Sequence, residues 1–173
     1  MLRDVRAGDV EAYLRMRCDP VMMAELGGPL SREAVEERHR KDVVEAAADR
    51  CWIRMIVPDG TEDGEVAGTV NLWSAEEEDG ERVSEIGWMV LPEHQGRGLA
   101  KEAVRRVLDA AAADGRWGEV HANPGRTNGP SNAICRALGF RLVGERDVDF
   151  ADRVLHTNHW VVLPGEHTGA GAA

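Results

Sequence analysis

Between residues 95 and 100 the chain reads Gln-Gly-Arg-Gly-Leu-Ala. The apolar run Trp88-Met-Val-Leu-Pro92 lies just before it, and the helical repeat of Leu99, Ala103, Val107, Leu108 and Ala111 begins inside it. That order reads as strand, turn and helix. Gly96 and Gly98 remove side chains where consecutive backbone N–H groups must point outward, and the positive end of the following helix dipole falls at the same place. The chemistry such a turn suits is the binding of phosphate. No Lys-Ser or Lys-Thr follows the second glycine and no Gly-x-Gly-x-x-Gly is present, so neither a nucleoside triphosphate loop nor a dinucleotide fingerprint is written here.

The elements that must hold this turn follow from size and punctuation. At 173 residues, 43% hydrophobic, the chain is long enough for one substantial core without disulfides or metals. We expect a single domain over residues 1–164 and a frayed small, polar tail over 165–173. The formal charge of −10 argues against nucleic acid as a partner, since that affinity needs clustered Lys and Arg; it suits solubility, or attraction of a cationic substrate. Cys18, Cys51 and Cys135 are odd in number and lack the spacing of a zinc site or a secreted framework, which fits a reducing cytoplasm. No apolar run approaches the roughly 18 residues that span a bilayer, so no membrane partner is expected.

In chain order, a short strand from Leu2 to Arg6 leads to a helix starting at Gly8-Asp9 and ending near Cys18, ahead of Pro20. Ser31 caps a charged second helix that runs toward Ala48 and should lie on the surface. Strands follow at Cys51–Val57, Glu65–Trp73 and Val83–Leu91, with the acid-rich stretch from Ser74 to Arg82 read as a solvated loop. After the helix of Leu99 to Ala113 come a strand from Trp117 to Ala122, a short helix from Ser131 to Leu138, and a final strand pair at Phe140–Phe150 and Val154–Leu163.

Two motifs carry a resemblance. Gln95-Gly-Arg-Gly-Leu-Ala100 resembles the Gln/Arg-x-x-Gly-x-Gly/Ala signature of the GNAT N-acetyltransferase superfamily. Asn128-Gly-Pro-Ser131-Asn-Ala-Ile-Cys135-Arg-Ala-Leu-Gly139-Phe140 is similar to the family's Asn-x-x-Ser/Ala segment and the short helix after it. The Leu-Arg-Asp-Val start, the stretches at Cys18–Met23 and Gly27–Glu33, and Glu85-Ile-Gly-Trp88 look like the branch containing ribosomal-protein N-terminal acetyltransferases and small-amine acetyltransferases.

The resemblance implies a mixed α/β fold, a mostly antiparallel sheet of about six or seven strands with helices on both faces. It implies acetyl-coenzyme A as cosubstrate, with the pyrophosphate on Gln95, Gly96, Arg97, Gly98, Leu99, Ala100 and Lys101. The pantetheine arm would lie along the backbone of Trp88, Met89 and Val90 and near Asn128. The reaction would be direct attack by a primary amine, a small cation or a protein N-terminus, through a tetrahedral intermediate. Glu85 is the first candidate for the base, with Glu119 and Asp149 behind it. Ser131 is the candidate acid toward the leaving thiolate, although its type also suits helix capping. Many family members carry Tyr where this chain has Cys135; that thiol could serve as acid or be apolar filler. The departure supports an alternative, a coenzyme A-binding sensor or accessory module with weak turnover.

Met22, Met23 and Trp73 would wall the acceptor and Glu25 would contact its cation. His94 should be exposed. His156 and His159 leave a strand on opposite faces and cannot share a metal; His121 lies two beyond Glu119 on the same face, where ordinary packing is expected ahead of a place in the acceptor site, and no metal is implied. The resemblance also leaves room for a homodimer through sheet edges or late strands.

Overall fold

The computed structural model describes residues 1–76, 82–150 and 153–169. In chain order the elements are β1 (Leu2–Asp4), α1 (Val10–Arg17), α2 (Arg32–Ala47), β2 (Cys51–Ile56), β3 (Gly68–Glu76), β4 (Arg82–Val90), α3 (Leu99–Asp114), β5 (Val120–Ala122), α4 (Gly129–Ala137), β6 (Arg141–Phe150) and β7 (Arg153–Val162). The strands form one open sheet in the order β1-β2-β3-β4-β5-β7-β6. β1 runs antiparallel to β2, and β7 antiparallel to both β5 and β6. β4 and β5 are parallel, as they must be when a helix, α3, carries the chain between them. This is the mixed, mostly antiparallel sheet expected.

The β4–β5 ladder is short. It is registered at Ser84–Val120 and Glu85–His121. β4 continues to Val90, whereas β5 stops at Ala122. The strand expected from Trp117 begins only at Val120, because Gly118 takes a left-handed φ of 58° and interrupts the extended chain. Trp117 is buried, under the guanidinium of Arg116 at 4.7 Å, and its carbonyl accepts from Ser84 Oγ. At the acid-rich stretch, β3 runs through Ser74 to Glu76 and β4 starts at Arg82; residues 77–81 of the expected loop lie outside the described residues.

The backbone divides into two compact units, Met1–Asn71 with Trp88–Ala100, and Leu72–Gly87 with the chain from Lys101 onward. In the first, Tyr13, Leu14 and Met16 of α1 join Val35 of α2, Ile53 and Met55 of β2, and Leu91 in one apolar cluster. Ser31 caps α2 as expected, its Oγ accepting from Ala34 N–H at 3.2 Å. The charge-rich α2 buries only Val35, His39 and Asp42. Asp42 is satisfied there: Oδ2 accepts the Tyr13 hydroxyl at 3.0 Å and Oδ1 accepts Arg38 Nε at 2.8 Å. Gly68 lies against the Met89 carbonyl, where any side chain would collide, and Leu91 N–H donates to the Ala67 carbonyl at 2.8 Å. The end of β4 is thus clamped on its β3 side.

In the second unit, α3 buries the stripe Ala103, Val104, Val107, Leu108 and Ala111. Buried Asn132 organises α4. Its Oδ1 accepts Asn158 Nδ2 and Trp160 Nε1 at 2.8 and 2.9 Å, and its Nδ2 donates to the carbonyls of Gly125 and Asn128. Beyond β7, His167 is buried with Nε2 3.1 Å from Asp109 Oδ1, and Thr168 N–H donates to the Leu138 carbonyl. Residues 170–173 lie outside the described residues.

Asp9, just before α1, is buried at 6% exposure and accepts from both Arg3 Nη atoms, at 2.7 and 2.8 Å, and from Arg6 N–H at 2.7 Å. Burial alone would raise its pKa. The Arg3 and Arg6 hydrogen bonds, with the charges of Arg3 and His39, outweigh burial and hold it below the usual carboxylate value. A depressed folded-state pKa stabilises the fold above the unfolded value and is lost as pH falls through the folded one. Asp9→Asn should therefore lower unfolding free energy at neutral pH by about 3 kcal/mol, and the difference from wild type should shrink below about pH 4, measured by urea titration across pH.

Candidate functional site

After Val90 the chain makes a single 3-10 turn at Pro92–His94 and then the glycine turn into α3. Gln95 fastens the turn to its strand, its Nε2 donating to the Val90 carbonyl at 2.8 Å. Gly96 and Gly98 adopt φ of 72° and 75°, and a Cβ at either would meet nothing within 4 Å. Glycine is required here by backbone conformation and not by crowding. Residues 95–98 are exposed. The amides of Gly96, Arg97, Gly98 and Leu99 find no acceptor among the described residues, and α3 adds the unpaired N–H groups of its first turn. Arg97 and Lys101 add cationic side chains in the open.

An open cleft of about 600 Å³ in the same unit is lined by Leu14, Arg15, Cys18, Leu30, Pro92 and Glu93, among others. Arg15 reaches from α1 to Glu93 and, at 3.6 Å, to Glu65. Glu65, Glu93 and His94 could place ligand atoms within 4.8 Å of one another, but Arg15 already neutralises the two carboxylates. His94 is not exposed as expected. Its side chain is 11% exposed, with Nδ1 3.3 Å from Arg97 Nη1 and Nε2 3.7 Å from Glu65. Trp88 and Met89 are half-buried and Val90 is buried, so these side chains belong to packing. Met23 is wholly buried, which removes it from the expected acceptor wall; Met22 is half-buried against the core.

In the second unit, Glu85 of β4 is half-buried and accepts from Asn123 Nδ2 at 3.2 Å. Its register partner His121 lies on the same side of the sheet and is buried, with Nδ1 3.0 Å from His159 Nε2 and ring centroids 4.9 Å apart. A contact of that length between two imidazole nitrogens requires one N–H shared between them. Glu119 stands ahead of β5, exposed, with Oε1 3.9 Å from His121 Nε2. Asp149 is exposed far along β6, paired with Val154. Trp73 is half-buried beside Gly87, which leaves room for its ring. The His121–His159 contact was not legible in the sequence: it needs the register of β7 on β5, where His121 pairs with Val161 and sets His159 on the same face.

On α4 the cap is Asn128 and not Ser131. Asn128 Oδ1 accepts from Ser131 N–H at 3.1 Å, while half-buried Ser131 sits in the first turn with a hydroxyl that has no partner among the described residues. Cys135 is fully buried, and burial pushes its thiol up to about 12. A thiol so placed is apolar filler. Cys18, Cys51 and Cys135 are all free.

The sequence matches the family model described as Acetyltransferase (GNAT) domain over residues 1–141. Comparison with curated proteins finds no match. Among solved structures, the fold is similar to a spermidine N-acetyltransferase from Vibrio cholerae in complex with CoA and spermine, at 19% identity and TM-score 0.75, covering 96% of each chain. It is similar to the acetyl transferase from Salmonella typhimurium that modifies the N-terminal serine of 50S ribosomal subunit protein L7/L12, at 18% identity and TM-score 0.74, covering 94% of this chain and 93% of that one. An acetyltransferase (GNAT family) from Bacillus anthracis is similar at 18% identity and TM-score 0.74, with 95% of each chain covered.

Left-handed φ at Gly96 and Gly98 predicts that Gly96→Ala and Gly98→Ala each lower unfolding free energy by about 1–2 kcal/mol. Gly129→Ala, at a position without positive φ, should be neutral or slightly stabilising, all three read by urea denaturation.

Proposed function

This chain belongs to the GNAT family of acetyltransferases, and from that premise we propose that it transfers acetyl from acetyl-coenzyme A to a primary amine, on a small molecule or a protein N-terminus. The observation that carries the reading is the row of unpaired amides from Gly96 to Leu99 at the head of α3. Such amides suit a diphosphate, with Arg97 and Lys101 contributing charge. No helix among the described residues is long and apolar enough to cross a membrane. Three free thiols agree with a reducing cytoplasm.

The chain's residues then take distinct parts. Gln95 to Lys101 hold the diphosphate end of the cosubstrate. The backbone of Trp88, Met89 and Val90, beyond the end of the β4–β5 ladder, holds the pantetheine arm and presents an N–H to the thioester oxygen. Asn128, whose side chain caps α4, takes a part in holding the same arm. Glu85 removes a proton from the incoming ammonium, and its contact with Asn123 fixes the carboxylate. Ser131 supplies a proton to the departing sulfur from a hydroxyl that no neighbour among the described residues claims. The bond formed is N–C, the bond broken is C–S, and one proton is released in sum. Cys135, buried where many relatives carry Tyr, takes no part. Its burial also favours the second reading, a coenzyme A-binding module with little turnover.

Acetyl-coenzyme A consumption against a panel of polyamines, aminoglycosides, amino acids and N-terminal peptides tests the proposal. Turnover with at least one amine is expected, with kcat/KM falling about 100-fold in Glu85→Gln and about tenfold in Ser131→Ala. Unchanged kinetics in both variants would remove them from the mechanism. Tight coenzyme A binding with no turnover on any amine would favour the module.

A further inference from the structure

Where α1 packs on α2, Arg17 makes no salt bridge among the described residues. Arg17, the last residue of α1, lies over the Tyr13 ring, its Cζ 6.0 Å from the ring centroid. Its Nε is buried without a hydrogen-bond partner, and no acceptor among the described residues meets its other donors. The nearby carboxylate is taken: Asp42 accepts the Tyr13 hydroxyl on one oxygen and Arg38 Nε on the other. Among the described residues Arg38 uses only that nitrogen, and its side chain is 57% exposed. Two guanidinium groups therefore share one carboxylate. Burial pushes the Arg17 pKa down and the Arg38 charge adds to this, against the pull of Tyr13 and Asp42. Arginine keeps its proton at neutral pH regardless, so the buried Nε remains an unmet donor, a cost that an oxyanion would remove.

We propose that Arg17 and Arg38 form a site for the carboxylate or phosphoryl group of an acceptor that also carries the amine. The assignment rests on the acetyl-transfer reading above. Planar guanidinium groups match both oxyanions in a two-bond fork. Asp42, itself held by the Tyr13 hydroxyl, fixes Arg38 Nε before any ligand arrives, and the Arg38 Nη atoms have no partner among the described residues. The position adjoins the segment expected to grip the acceptor, because the Arg17 carbonyl accepts Leu30 N–H at 2.9 Å and so closes the connection between α1 and α2. In a chain of net charge −10, long-range attraction does not deliver an anion here; a local pair of cations must hold it.

Two measurements on the full chain test this. The first titrates inorganic phosphate calorimetrically at fixed ionic strength, with coenzyme A present to fill the glycine turn. Wild type should bind, and Arg38→Gln and Arg17→Met should each weaken binding about tenfold. Arg38 is 57% exposed, and a urea titration of each variant checks that the fold survives its loss. The second compares a dipeptide acceptor bearing a free carboxylate with its carboxamide. KM for the acid should rise about tenfold in Arg38→Gln, with kcat and the carboxamide KM unchanged.

No phosphate binding by wild type, or equal binding by all three proteins, would overturn the site. Equal effects on acid and carboxamide would overturn the acceptor assignment and leave a site for a free anion. Absence of turnover on every amine would remove the acceptor assignment together with the transferase reading, while the phosphate titration, which needs no turnover, still decides whether the arginines bind an oxyanion.

Discussion

Backbone N–H groups with nothing to donate to are costly inside a fold and useful at its surface. In this chain a row of them lies between a strand whose end is clamped and a helix whose first turn cannot satisfy itself. Gly96 and Gly98 reach conformations that other residues resist, and Gln95 ties the turn back to the Val90 carbonyl. Glu102, in the first turn of α3, would compete with a bound anion. Arg105 and then Arg106 hydrogen-bond its carboxylate and hold its pKa down to about 2, and their charges offset its own. The head of the helix thus stays receptive to negative charge.

A second constraint is the length of β5. Three residues give a ladder that ends soon after Glu85, so the later part of β4 has no long parallel partner. The interruption at Gly118 sets where β5 starts, and Asn123 turns back to Glu85 as the strand ends. One face of the second unit consequently carries Glu85, His121 and His159 together, while Asn132 holds α4 with the Ser131 hydroxyl unclaimed.

Much of this was legible in the sequence where one residue type has one physical use. Ser31 as a cap, Gly96 and Gly98 as a turn, and the stripe of α3 all follow from local rules, and the mixed sheet followed from the resemblance those motifs carry. What was not legible depended on tertiary placement. Ser131 has the composition of a cap, yet Asn128 three residues earlier takes that role. Met23, expected on the acceptor wall, is wholly buried. The stretch from Ser74 to Glu76, at the head of the acid-rich run, looks like solvent-facing loop and extends β3, because strand pairing overrides a weak local preference. The histidine pair needed a register that no single segment encodes, and the unpaired Arg17 needed knowledge that Asp42 was already occupied.

The central claim is that the free amides of the glycine turn hold a diphosphate. Backbone amide NMR shifts of Gly96, Arg97, Gly98 and Leu99, followed while coenzyme A is added and compared with pantetheine, which lacks the diphosphate, test it directly. The account predicts large shifts at these four residues with coenzyme A and little change there with pantetheine. Amides that stay still while coenzyme A binds elsewhere, or that respond equally to both compounds, would contradict it.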